Sequence, residues 1–175
     1  MGAIRSRAIR SRVVAAGVAG AALLLVALAP AARADGGGNS NSVRWQTIIG
    51  IIQAGNVVGG IGGGMAPWST LGGHAYVDLS QGVVDFEVRG LVLAGGNSIG
   101  TPATVTQVKG TLVCAPASAS PVAIDTPLVT LSPQGNAEFD GSFNSSAAGC
   151  SATDVAFLIR ISANRWIANG AVRSP

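Results

Sequence analysis

The chain has 175 residues and a formal charge of +3, with 48% hydrophobic and 11% charged residues; its mean hydropathy is +0.46 and its pI near 9.5. The placement of the charges removes any basic character from the bulk of the chain. Arg5, Arg7, Arg10, Arg12 and Arg33 all precede Ala34 and none of the eight acidic residues does, so residues 35–175 carry six basic against eight acidic side chains. Those six, Arg44, Arg89, Lys109, Arg160, Arg165 and Arg173, are too dispersed to form a phosphate-binding stripe, which excludes nucleic acid as a partner.

In chain order, residues 1–34 read as a cleavable signal peptide. Four arginines lead into the apolar run 13–32, which ends in Ala32-Arg33-Ala34, the small-x-small form that signal peptidase accepts. The run is long enough to span a bilayer, but its glycines, Pro30 and the Ala-x-Ala ending favour cleavage. No cysteine follows the site and no adjacent arginines precede it, so the expected route is general secretion to a secreted or periplasmic location, with no stable membrane span afterwards. Residues 35–42, Asp-Gly-Gly-Gly-Asn-Ser-Asn-Ser, have high backbone entropy and nothing to bury, and are expected to be a flexible leader.

Residues 43–173 read as one all-β domain. Glycine and proline punctuate the sequence too often for long helices, while the intervening runs are rich in Val, Ile, Thr and aromatics. Strands are expected at 43–53, 74–80, 83–93, 104–114, 121–131, 136–143, 155–162 and 165–172. The clearest pair flanks Gln81-Gly82. There Ala75, Val77 and Leu79 alternate with His74, Tyr76 and Asp78, and Val84, Phe86 and Val88 alternate with Asp85, Glu87 and Arg89. A two-residue turn would set Val77 against Phe86 and Asp78 against Asp85; a bulge at Gly82 would shift the register by one. The run 59–64 reads as a flexible loop that Trp68 returns to the sheet. With no amphipathic helix to cover a sheet, the expected architecture is a two-sheet sandwich, of immunoglobulin-like or jelly-roll topology, or a partly closed barrel. Cys114 and Cys150, the only cysteines of an exported chain, are expected to form one disulfide.

The residues that carry chemistry are few. His74 is the only histidine, which excludes a multi-histidine zinc or copper centre; it sits at the start of a surface strand, and no catalytic constellation is assigned. Asp78, Asp85 and Glu87 on one hairpin face are a candidate calcium site, because opposed carboxylates repel unless a cation or hydrogen bonds offset them. Solvated surface charge is the simpler reading, and no other cofactor is expected. The run of glycines lacks the lysine and the following helix of a phosphate loop. Trp68, Tyr76 and Trp166 are a candidate stacking platform for sugars, against the simpler reading of core packing.

Ala66-Pro67-Trp68-Ser69, the run from Gly73 to Gly96, Val108 to Cys114, Ala156 to Ile161 and Arg165 to Gly170 carry a resemblance to a group of uncharacterised exported bacterial proteins. The resemblance implies a small secreted all-β domain and no established activity. The functional expectation is a non-enzymatic interaction or structural module of the envelope or the extracellular space, its partner a cell-wall polymer, a glycan or another envelope protein. The alternatives are a carbohydrate- or cell-wall-binding module that uses exposed Trp and Tyr, and a hydrolase of unknown substrate.

Overall fold

The computed structural model describes residues 41–174; the stretch expected to be a signal peptide and most of the expected leader lie outside that range. Thirteen strands follow one another: β1 Ser42–Gly50, β2 Val57–Val58, β3 Ile61–Gly62, β4 Trp68–Ser69, β5 Gly72–Asp78, β6 Val83–Arg89, β7 Val92–Leu93, β8 Gln107–Cys114, β9 Val122–Asp125, β10 Val129–Thr130, β11 Ala137–Ser142, β12 Val155–Ile161 and β13 Trp166–Ser174. All eight expected strands form, but the ones drawn at 83–93 and 121–131 are each divided, between β6 and β7 and between β9 and β10. The domain begins one residue earlier than expected, because Ser42 pairs with Asp78.

The principal sheet is antiparallel throughout, in the order β10-β8-β12-β13-β1-β5-β6-β11, with β9 added beside β8. It is a single curled sheet forming a partly closed half-barrel, the second of the two expected architectures; the two-sheet sandwich does not form. The curl brings strands far apart in this order onto one core. Phe86 of β6 packs against Phe157 of β12 at 5.7 Å between ring centres, and Phe157 against Trp45 of β1 at 5.5 Å. Gly110 of β8 lets both phenyl rings sit there, since a Cβ at this position would lie 2.9 Å from each. The two ends of the sheet come within contact of each other, and just beyond β11 the Asn144 N–H donates to the Asp125 carbonyl at 2.8 Å. Curling substitutes for a second sheet: the inner face buries Val77, Val84, Phe86, Val88, Leu112, Phe157 and Ile159 completely, and at ~25 cal/mol per Å² that burial is the main stabilising term.

The glycine-rich run is a hydrogen-bonded hairpin where a flexible loop was expected. Gly59 and Gly60 both have positive φ, 55° and 74°, which a two-residue type I′ turn requires, and Val57 and Val58 pair with Gly62 and Ile61 across it. The hairpin is attached to the main sheet at β13. Gly64 N–H donates to the Trp166 carbonyl at 2.8 Å and Ile51 N–H to the Ile167 carbonyl at 2.9 Å, while Trp166 Nε1 donates to the Asn56 carbonyl at 3.1 Å. The hairpin lies over the outer face of β8, where a Cβ on Gly59 would meet Val113 Cγ1, and Leu158 of β12, on that same face, is 1% exposed.

The β5–β6 hairpin keeps its expected faces but not its register. Ala75 lies opposite Phe86, Val77 opposite Val84, and Asp78 opposite Val83, two residues from the expected alignment. The turn therefore holds four residues, Leu79 to Gly82, and its organiser is Asp78. One carboxylate oxygen, Oδ1, accepts from Ser80 N–H at 2.9 Å, from Gln81 N–H at 3.0 Å and from the Ser80 hydroxyl, while Gly82 N–H donates to the Asp78 carbonyl at 2.8 Å. A side-chain-closed turn of this kind outcompetes a two-residue turn that would put glutamine at a positive-φ position. Asp78→Ala is accordingly expected to destabilise the domain by about 1–3 kcal/mol, with Asp78→Asn milder because its carbonyl oxygen can still accept. Urea titration of both variants checks this; a neutral Asp78→Ala would mean that the turn is held without its side chain.

Candidate functional site

Polar side chains gather on the outer face of β5, β6 and β11. The register places Tyr76, Asp85 and Asp140 in one row across the three strands and His74, Glu87 and Glu138 in the next. Alternation puts these residues outward because Ala75, Phe86 and Val88 alternate with them inward, and Phe139 stacks against Phe86 at 6.0 Å. Four of the chain's eight acidic residues thus share one surface, as directly opposed pairs, Asp85 with Asp140 and Glu87 with Glu138. His74 lies between, its Nε2 3.7 Å from Asp85 and its Nδ1 3.7 Å from Glu87, and Arg89 Nε is 3.6 Å from Glu87. Glu138 and Asp140 have no ion-pair partner among the described residues. The surface is a shallow depression of about 450 Å³ lined by His74, Asp85, Glu87, Glu138, Asp140 and the two phenylalanines.

Of the three carboxylates expected to share a calcium ion, only Asp85 and Glu87 meet on this face. Asp78 is 6% exposed and its Oδ1 is engaged in the turn, so the expected triad is not assembled. Among the described residues no group of three or more His, Cys, Asp and Glu is placed to hold a metal ion. The aromatic platform is dispersed in the same way. Trp68 and Trp166 are 6% and 5% exposed and belong to the core, leaving Tyr76 as the one half-exposed member. The disulfide does form, between Cys114 at the end of β8 and Cys150 in the loop before β12, with Cα atoms 5.4 Å apart.

A second charged cluster has no counterpart among the residues singled out from the sequence. Asp125 of β9 accepts from Lys109 Nζ at 2.6 Å, from the Thr111 hydroxyl at 2.7 Å and from Arg160 at 3.0 Å, and Lys109 also donates to Asn164 Oδ1 at 3.3 Å. Arg160 is 7% exposed. The cluster ties β8, β9 and β12 to the turn before β13. Burial alone would raise the Asp125 carboxyl, but hydrogen bonds from Lys109 and Thr111 and the positive charges of Arg160 and Lys109 outweigh it and hold the group below its ordinary range.

A carboxyl lowered in the folded state adds stability that is fully present above the unfolded value of about 4 and is lost as pH falls through the folded value. Wild type should therefore lose melting temperature below about pH 4 more steeply than Asp125→Asn, which begins less stable at neutral pH. Parallel melts between neutral and strongly acidic pH check this; equal slopes would remove Asp125 from the acid response.

Nothing in the spacing of 109, 125 and 160 announces their convergence, which requires β9 and β12 to flank β8. Glu138 and Asp140 were legible as the outward side of an alternating strand, but not as neighbours of Glu87 and Asp85.

Fold and surface together define a small all-β half-barrel with one disulfide and an acidic outer face. Compared with protein-family models, with curated proteins and with solved structures, the chain has no match in any of the three. No helix among the described residues is long and apolar enough to cross a membrane.

Proposed function

We propose that the domain is a non-catalytic interaction module of the cell envelope or the extracellular space, and that it receives a cationic partner on the outer face of β5, β6 and β11. The opposed pairs Asp85/Asp140 and Glu87/Glu138 carry the reading. Like charges directly across a ladder cost stability, and a cationic group seated over them relieves that repulsion. A basic segment of another envelope protein or an amine-bearing cell-wall polymer has the right chemistry. Export to that compartment is supported by residues 1–34 and by the resemblance to exported bacterial proteins. The sugar-stacking alternative loses support from the burial of Trp68 and Trp166. The hydrolase alternative has His74 beside two carboxylates, but no serine, threonine or cysteine among the residues lining that depression.

The test is a titration with a short oligolysine peptide at low ionic strength. Saturable binding that weakens with salt is expected, since screening shortens the reach of the field. The Asp85→Asn/Asp140→Asn double variant should lose at least tenfold in affinity while melting no lower than wild type, and Asp154→Asn, on a loop, should bind as wild type does. Equal binding by all three, or none by wild type, would refute the assignment of this face.

A further inference from the structure

The end of the barrel that carries the disulfide is built differently from the acidic face. After Cys114 the chain runs Ala115-Pro116-Ala117-Ser118-Ala119-Ser120-Pro121, a loop in which residues 117–120 are all exposed. The disulfide and a hydrogen bond from Ala115 N–H to the Asp154 carbonyl at 2.9 Å hold this loop beside the β11–β12 loop, where Ser145, Ser146, Ser151 and Thr153 are exposed as well. Two segments distant in sequence thus present one surface of hydroxyls set among small residues.

We propose that the 115–121 loop is a site of O-linked glycosylation, with Ser118 and Ser120 as the acceptors. A glycosyltransferase needs an exposed hydroxyl on a segment it can take up without steric or charge conflict. Serines spaced by alanine and bracketed by proline meet that need, the composition of O-glycosylated secreted segments. Proline cannot donate a backbone hydrogen bond and biases the residue before it toward extended conformations, so Ser120, before Pro121, is held out of regular pairing. The internal bonds of the loop are few: Ser118 N–H donates to the Ala115 carbonyl at 2.9 Å and Ser120 N–H to Ser118 Oγ at 3.2 Å. In the facing loop Ser151 and Thr153 hydroxyls bond each other at 2.9 Å, which makes them poorer acceptors.

The reaction uses a sugar phosphate donor, lipid- or nucleotide-linked. The serine Oγ attacks the anomeric carbon and forms the glycosidic C–O bond. The bond from that carbon to the phosphate oxygen breaks, the phosphate leaves with the electron pair, and the hydroxyl proton passes to a base of the transferase.

The test is intact-mass analysis of the chain secreted by the organism that encodes it, followed by fragmentation that retains side-chain modifications. The expected result is a mass above that of the polypeptide by whole sugar increments, located at Ser118 and Ser120 and released by alkaline β-elimination. Ser118→Ala/Ser120→Ala should be secreted, should melt as wild type does, and should lack those increments. A secreted chain whose 115–121 peptide has its unmodified mass would overturn the proposal. So would sugar found instead on Asn144, in the sequence Asn144-Ser145-Ser146, and resistant to alkali.

Discussion

Phe86→Ala should destabilise the domain by about 3–5 kcal/mol, the range for deleting a fully buried phenyl ring. Phe86 is inaccessible to solvent and its ring is in contact with those of Phe139 and Phe157, contributed by two other strands. Deletion therefore removes the transfer free energy of the ring and leaves a cavity whose walls, anchored in three strands, cannot collapse into it. Gly110→Ala probes the same place in the opposite sense. Its new Cβ would approach both Phe86 and Phe157 to 2.9 Å, and overpacking of this kind costs about 1–3 kcal/mol. Combining Gly110→Ala with Phe86→Leu should cost less than the sum of the two, because the added methyl occupies part of the vacated volume. Urea unfolding with an unchanged m value would assign these effects to the folded state. A neutral Phe86→Ala together with a severe Glu87→Ala would mean that the inner and outer faces are exchanged.

Reduction of Cys114–Cys150 is expected to cost about 4 kcal/mol, because releasing a crosslink across 36 residues restores that much conformational entropy to the unfolded chain. For a domain of this size the melting temperature should fall by roughly 10–15 °C. The transition should remain cooperative, since the bridge supplies only Cys114 and the partly buried Cys150 to a core otherwise made of aliphatic and aromatic side chains. Calorimetry with and without reductant measures the shift. A native, unreduced protein whose two thiols label freely would sink the assignment, and loss of any transition on reduction would mean that the half-barrel cannot form without its crosslink.

The all-β class, the eight main strands and the pairing of the two cysteines were legible in the amino-acid sequence because each rests on local or compositional physics. Alternation of period two declares a half-buried strand whatever its partner, and Val84, Phe86 and Val88 are inward in any register that keeps the parity. Two cysteines in a chain whose sequence reads as exported have only each other. Single-sheet curling was not legible, since a strand buried on one face has the same pattern in a sandwich and in a barrel; the outcome depends on whether Gly110 admits the rings of Phe86 and Phe157 from strands distant in the sheet. Nor was the role of Asp78. Its alternation assigned it to the solvated side with Asp85, but a carboxylate at the end of a strand can close its own turn, and three donors on Ser80 and Gln81 decided both its burial and the register. The acidic face and the Asp125 cluster came only with tertiary structure, because interactions between charges depend on distance in space. Asp140 is 55 residues from Asp85 and directly across from it, an adjacency set when β11 returned to the edge of β6 after the chain had built β7 to β10.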